Sequence, residues 1–292
     1  MPERPSSNPR RFLTGLIGAP IAQSASPAMH ERAADAVGVR CHYQLIEVAG
    51  ADAAGLRALL DGVRRLGFAG VNVTFPYKEA VVPLLDELSP GARAIGAVNA
   101  VVVRDGRLVG YNTDTSGFER AIGHLVSHSN RGPVALIGAG GVGKAIAYAL
   151  AALGVAELRV FDTDRAKAEQ LAAQLRGRQE IRIAQSVADA LQRAVGVVNA
   201  TPIGMLPDHG MAVPDVLLHP GLWVADAVYT PLWTPLLIAA KAKGAKIMTG
   251  RELAIHQAAD AFELFTGLKP SIAVMGNAFD AVMAQRYAAE NA

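Results

Sequence analysis

Lys78 and Asp114 are the residues of this chain best suited to moving a proton, and each sits in a dense polar motif. The motifs are Asn72-Val-Thr74-Phe-Pro-Tyr-Lys78 and Gly110-Tyr-Asn112-Thr-Asp114. A third motif, Gly138-Ala-Gly140-Gly141-Val142-Gly143, follows them. An amine and a carboxylate within reach of one another can take a proton from a hydroxyl or return it to an alkoxide. A dinucleotide held beside them can accept or deliver hydride. The combination points to a dehydrogenase acting on a small polar alcohol or ketone.

Both residues also have plain structural readings. Pro76 is expected to open a helix, which puts Lys78 in its first turn, where the positive end of the dipole disfavours a cation and helps the amine give up its proton. A lone lysine there would be a solvated surface residue. Asn72 and Thr74, at strand spacing on one face, instead make Lys78 part of a site rim. Asp114 precedes Ser116-Gly-Phe-Glu119, a capping-box pattern, so it could simply favour the start of a helix. Set against Lys78, an ion pair that orients the lysine and shares its proton is the better reading.

The glycine motif gains specificity from its surroundings. It follows an expected strand at 133–137, opens an Ala-rich helix ending near Gly154, and has an acidic residue, Asp162, 24 positions after Gly138. Gly138 permits the tight turn, Gly140 lets the backbone approach a pyrophosphate, and Gly143 lets helix and strand pack closely. The phosphates would meet the free N–H groups and positive end of the helix. Asp162 can accept hydrogen bonds from ribose hydroxyls and would repel a 2′-phosphate. Thr163 offers no guanidinium, and Asp164 is expected to cap the next helix. Arg165 and Lys167 remain able to swing towards a phosphate. NAD is favoured over NADP.

The elements that must position these groups read as two α/β domains. Strands are expected at 12–18, 42–48 and 70–75. Helices follow from Pro27, with Ser26 as cap, over 52–66, and from Pro76. Residues 98–103 and 107–111 form a hairpin around Asp105-Gly106. From about residue 115 strands and helices alternate, with strands at 157–162, 195–200, 223–228 and 245–248 and a helix over 164–176. That pattern implies a parallel sheet of the doubly wound Rossmann type. The tail, 252–290, reads as two helices broken at Thr266-Gly267 and Pro270. The expected division is a substrate domain, 1–114 plus 250–292, and a dinucleotide domain, 115–249. The terminal helices return to the first domain. No low-complexity linker intervenes, so the domains are expected to lie close together around a cleft.

Composition narrows the function classes. The 292 residues are 51% hydrophobic and 18% charged, ample for packed cores. Net charge is +2, with no basic stripe, so nucleic acid is not an expected partner. No uninterrupted apolar run reaches membrane-span length. The opening MPERPSSNPRRF is polar and reads as a short tail rather than a signal peptide. The single cysteine, Cys41, leaves no internal disulfide or multi-cysteine metal site and suggests the cytoplasm. No metal is expected.

Taken together, the motifs resemble the shikimate/quinate dehydrogenase family. The likeness runs from about Leu16 to Gly267. It is carried by Ser24-Ala-Ser26-Pro-Ala-Met-His30, Asn72 to Lys78, Gly96-Ala-Val-Asn99, Tyr111-Asn-Thr-Asp114 and the glycine loop. Further on come Asn199-Ala-Thr-Pro-Ile-Gly-Met205, Asp226-Ala-Val-Tyr229 and His256-Gln257-Ala-Ala-Asp-Ala-Phe262. The resemblance implies that Ser24 and Ser26 hold a substrate carboxylate, with Tyr229 nearby. It implies that Thr74, Asn99, Asp114 and Gln257 bind ring hydroxyls and that Lys78 is the proton donor and acceptor. It places Thr201, Val228, Gly250 and Leu253 around the nicotinamide.

Neutral hydrogen-bonding side chains suit a cyclohexene polyol, and such contacts reject analogues that lack a hydroxyl. Members using NADP often carry Asn-Arg-Thr where this chain has Asp162-Thr163, and Gly-Met where it has Glu252-Leu253. Both departures look more like the NAD-using quinate/shikimate branch. Ser26 argues the other way, since some quinate-using members carry threonine there. The expected reaction is NAD-dependent interconversion of shikimate and 3-dehydroshikimate, with quinate open as a second substrate, by a monomer or homodimer. The alternatives are an NADP-dependent biosynthetic enzyme, a methylene-tetrahydrofolate dehydrogenase of similar plan, and a non-catalytic sensor. Ser24, Ser26 and Gln257 speak against the folate enzyme, and Lys78 with Asp114 against the sensor.

Overall fold

The computed structural model describes residues 9–126 and 132–290; the first eight residues of the polar N-terminal tail lie outside this range. The chain divides into two compact units. The first comprises Met1–Leu88, Val98–Tyr111 and Ala258–Ala292, the second Ser89–Ala97 and Asn112–Gln257.

The first unit contains β1 (Arg11–Gly18), α1 (Ser26–Ala36), β2 (Arg40–Glu47), α2 (Ala53–Arg65), β3 (Gly70–Val73), β4 (Glu87–Leu88), β5 (Ala100–Arg104) and β6 (Arg107–Tyr111). Its sheet has the order β2-β1-β3-β5-β6-β4. β1 pairs in parallel with both β2 and β3, while β5 is antiparallel to β3 and to β6. The β5–β6 hairpin turns at Asp105 and Gly106, both at positive φ (49° and 73°), as Asp-Gly allows. α2 shows how local sequence selects an element. Asp52 accepts the Gly55 N–H at 2.8 Å as the N-cap, Arg64 and Arg65 end the last turn, and Leu56, Leu60 and Val63 form the buried stripe.

The second unit begins with α3 (Pro90–Ile95) and continues with α4 (Asp114–Ile122), β7 (Val134–Ile137), α5 (Gly141–Ala152), β8 (Leu158–Phe161), α6 (Arg165–Gln174), β9 (Ile181–Ile183), α7 (Val187–Leu191) and β10 (Gly196–Asn199). β11 (Trp223–Asp226), α8 (Pro235–Ala242), β12 (Lys246–Met248) and α9 (Gly250–Thr266) follow. The sheet is all parallel, in the order β12-β11-β10-β7-β8-β9. β7, β10 and β11 are buried at every position, as expected for short apolar strands covered on both faces. Two cores flank the sheet. One holds Phe118, Ile146, Leu150 and Leu253, the other Val197, Val224 and Leu237.

The terminal helices return to the first unit, as the sequence suggests. α10 (Ile272–Glu290) packs on α1. The second part of α9 lays Ala261 and Phe265 on Ala100 and Val102 of β5. No described helix is long and apolar enough to cross a membrane.

Three local expectations fail. No α-helix opens at Pro76, and the turns after it lead only to a short 3-10 helix at Val82–Leu84: the Lys78 carbonyl accepts the Val98 N–H at 2.8 Å, whereas Val82 bonds the Glu79 carbonyl. The segment is therefore a series of turns, and no helix terminus lies beneath Lys78. Ser26 is the first residue of α1 rather than its cap; the cap position is Ala25, and Ser24 Oγ accepts the Ser26 N–H at 3.2 Å. Ser116 does not cap α4, which starts earlier because Asn112 Oδ1 accepts the Asp114 N–H at 3.1 Å. Ser116 instead donates to the Thr113 carbonyl from within the first turn.

Candidate active site

In the first unit, one edge of the sheet carries four of the expected substrate residues, Ser24, Ser26, Thr74 and Asn99. Thr74 follows β3, and its N–H is held by the Ile17 carbonyl at 2.9 Å. Gly18 at the end of β1 makes room for it, since a Cβ there would lie 2.4 Å from Thr74 Cγ2. The Ala19 N–H bonds the Phe75 carbonyl, tying the loop after β1 to the loop after β3. Ser24 and Ser26 lie beyond that loop, both half-buried, with their hydroxyls 3.1 Å apart. Two adjacent hydroxyls suit a carboxylate that accepts from both.

Asn99 immediately precedes β5. Its carbonyl accepts the Val73 N–H and its N–H donates to Tyr111 O, so its backbone is fixed between neighbouring strands. Asn72, expected on the rim, is buried instead. Its side chain accepts from Tyr43 Oη at 2.9 Å and donates to the Asn99 carbonyl at 3.0 Å. Asn72 thus positions Asn99. Val98 N–H, bonded to Lys78 O, joins the half-buried Lys78 segment to the same stretch. The sequence signal for Asn72 was its motif, but nothing local to it named Tyr43 as a partner.

In the second unit, Asp114 is the first residue of α4 and 4% exposed. Asn112, which starts the helix, is anchored by donating to the Ala97 carbonyl at 3.1 Å. The same helix grips α9 around Gln257. Thr113 Oγ1 donates to the Gln257 carbonyl at 3.0 Å, and Arg120 to that of His256. Gly117 lets the backbones meet, because a Cβ there would lie 2.9 Å from the Gln257 N. Asp114 and Gln257 are therefore held in register by one helix pair. Nothing in the sequence sets Gly117 apart, since it is one glycine among 29.

The glycine loop has the geometry its spacing implies. Gly138 has φ +101°, and a Cβ there would press on Ala200 and on Thr201 Cγ2 at 2.9 Å. A Cβ on Gly143 would come within 2.1 Å of the Gly138 carbonyl, so helix and turn can be this close only without one. Gly140 faces open space: a Cβ there would have no neighbour within 4 Å, which leaves room for a phosphate before the first N–H groups of α5. Gly141 and Val142, half-buried, form that first turn. Asp162 follows β8. Its Oδ2 accepts the Ala139 N–H of the loop at 2.7 Å and its Oδ1 the Asp164 N–H at 2.8 Å. Asp164 caps α6 as expected. Arg165 is turned to Glu169 at 2.9 Å.

The loops after β10 and β11 lie at the C-terminal edge of the same sheet, where open α/β sheets bind ligands. Thr201 is brought against Gly138. Gly250 is brought against Val228, whose carbonyl would be 2.4 Å from a Cβ. Tyr229 is half-buried directly after Val228, and Leu253 is 6% exposed within the core beside β12. Beneath these loops is a buried polar network that sequence reasoning missed, although Asn199 and Asp226 stand in recognisable motifs. Asp226, fully buried, accepts from Asn199 Nδ2, the Val228 N–H and Thr234 Oγ1 at 2.9, 3.0 and 2.7 Å. Burial pushes its carboxyl from 3.8 up to about 6 against the opposing pull of those bonds.

Three family profiles match the chain. They are the shikimate dehydrogenase substrate binding domain over residues 16–101, the ThiF family over 124–203, and the shikimate 5'-dehydrogenase C-terminal domain over 250–278. A quinate/shikimate dehydrogenase (NAD(+)) of Corynebacterium efficiens is 46% identical over 276 residues, which cover 92% of this chain and 97% of the relative. A shikimate dehydrogenase (NADP(+)) of Streptomyces avermitilis is 44% identical over 268 residues, covering 89% and 91%. The solved structure of a quinate dehydrogenase from Corynebacterium glutamicum in complex with NAD superposes with a TM-score of 0.85 at 44% identity, covering 93% of this chain and 99% of that one.

Proposed function

The chain belongs to the shikimate/quinate dehydrogenase family, and from that premise we propose that it oxidises shikimate to 3-dehydroshikimate and quinate to 3-dehydroquinate, reversibly, with NAD. The family's cofactors are NAD and NADP, as the names of the Corynebacterium and Streptomyces relatives state. The observation that carries the choice of NAD is the Asp162 carboxylate, fixed to the glycine loop through Ala139 at 2.7 Å. A carboxylate so placed has lone pairs left for ribose hydroxyls and repels a 2′-phosphate. Arg165, the nearest candidate in sequence to neutralise such a phosphate, is paired with Glu169.

Bound NAD supplies the hydride acceptor for the carbinol carbon. Lys78 takes the hydroxyl proton during oxidation and returns it to the forming alkoxide during reduction, and Asp114 serves the same proton transfer. Ser24 and Ser26 donate to the substrate carboxylate. Thr74, Asn99, Asp114 and Gln257 pair with ring hydroxyls, and Tyr229 lies by the carboxylate. Gly138 to Gly143 receive the pyrophosphate, while Thr201, Val228, Gly250 and Leu253 line the nicotinamide end. A lone, half-buried thiol, Cys41, bonded to Thr14 Oγ1 at 3.3 Å and with its pKa raised by burial, supports a reducing, cytoplasmic setting.

The test is NADH formation by the purified chain with shikimate and with quinate. Turnover of at least one supports the assignment. Failure of both, with NADH bound, would leave a binding protein and overturn it.

A further inference from the structure

We infer that Asp226, Asn199 and Thr234 form a buried positioning device for the nicotinamide end of the cofactor site, acting through Thr201 and Val228. This rests on the reading, given above, that those two residues line the nicotinamide.

β10 and β11 are neighbours, and Asn199 pairs directly with Asp226 at their C-terminal ends. Two loops leave the sheet from these residues. Asn199 holds the first loop with its whole carboxamide. Oδ1 accepts the Thr201 N–H at 3.0 Å and Thr201 Oγ1 at 2.7 Å, while Nδ2 donates to the Ile203 carbonyl at 3.1 Å and to Asp226 at 2.9 Å. All four hydrogen-bonding positions of the amide are used. Asp226 holds the second loop through the Val228 N–H and reaches Thr234 at the start of α8. Thr234 also caps that helix by accepting the Leu237 N–H.

One carboxylate therefore ties two loops and a helix start together. Asn199 and Asp226 are both 0% exposed, and Thr234 is 1% exposed. Burial opposes the charged form of this carboxylate, and the bonds from Thr234, Val228 and Asn199 offset that cost. Three donors converge on it: Oδ1 accepts from Asn199 Nδ2 and the Val228 N–H, and Oδ2 from the Thr234 hydroxyl, so an asparagine could keep the first two bonds through its carbonyl and donate to Thr234. The loops so held carry Thr201, pressed on Gly138, and Val228, pressed on Gly250. A shift of either loop would move the nicotinamide end and leave the adenosine end, at Asp162 and Ala139, in place.

That asymmetry supplies the test. NADH and ADP affinities are measured by titration of the full-length wild type, Asp226→Ala, Asp226→Asn and Thr234→Val. Freeing buried donors in Asp226→Ala is expected to weaken NADH at least about tenfold with ADP changed less than about twofold, while Asp226→Asn recovers NADH to within about threefold. Thr234→Val, which leaves the carboxylate in place, is expected to weaken NADH and spare ADP. Unchanged NADH affinity in Asp226→Ala, or in Thr234→Val should the alanine variant not fold, overturns the inference, as does an equal loss of NADH and ADP. A wild type that binds no NADH overturns the cofactor reading beneath it instead.

Discussion

His30 is buried at 1% exposure, and neither ring nitrogen has a hydrogen-bond partner among the described residues. Its ring lies 4.6 Å from that of Tyr43 and about 6 Å from those of Phe262 and Phe265. Burial lowers its pKa from 6.5 to about 3, so the native state holds the imidazole neutral. The unfolded chain takes up that proton first as pH falls. The stability contribution is intact above 6.5 and is lost as pH descends from 6.5 towards about 3. The slope in that window is about 1.4 kcal/mol per pH unit, or roughly 2 kcal/mol by about pH 5. His30→Leu, which has nothing to protonate, should lack this loss. Urea unfolding of both proteins at about pH 7.5 and about pH 5 gives the comparison, and the wild type should lose about 2 kcal/mol more than the variant. An identical pH dependence would mean that the native ring is charged or partnered, and the neutral buried imidazole would have to be abandoned.

Asp226 has the opposite sign: its raised pKa makes the native state bind the proton first, so the carboxylate's cost grows as pH rises from 3.8 to about 6. Asp226→Asn should therefore gain up to about 3 kcal/mol at neutral pH relative to acid, measured by urea unfolding; an unchanged pH profile counts against a buried, titrating carboxylate. Gly117→Ala should push α9 at Gln257 and raise the substrate KM several-fold; a variant with wild-type KM would show that the Gly117 contact with Gln257 does not matter. Lys78→Ala should lower kcat by about 10²- to 10⁴-fold with substrate affinity largely kept, and unchanged turnover would remove the lysine from the reaction.

What the sequence made legible was whatever local chemistry decides. The glycine loop, its strand and helix, and the Asp105-Gly106 hairpin were readable because backbone sterics at named glycines dictate them. The Lys78 segment was not, because a distant N–H, that of Val98, captures the carbonyl a helix would need. Ser116 carried a capping-box pattern, yet Asn112 starts the helix earlier through its side chain. α3 and α8 were legible in principle: Ser89-Pro90 and Thr234-Pro235 are both cap-plus-proline starts, and both caps are made. The short strands β4 and β9, of two and three residues, have too little periodicity to read. Of the site, the polar motifs announced the residues but not their partners; the bonds Tyr43–Asn72 and Asn199–Asp226 each span many positions in sequence and become visible only once strands are paired.

The proposal that this chain prefers NAD rests on Asp162. Its sharpest test is kcat/KM for NAD and for NADP, measured with shikimate and with quinate. NAD should be preferred by at least about tenfold with either substrate, the equivalent of one unfavourable charge contact of about 1.4 kcal/mol. A preference for NADP would contradict the role given to Asp162 and would require Lys167, or Arg165 released from Glu169, to hold the phosphate.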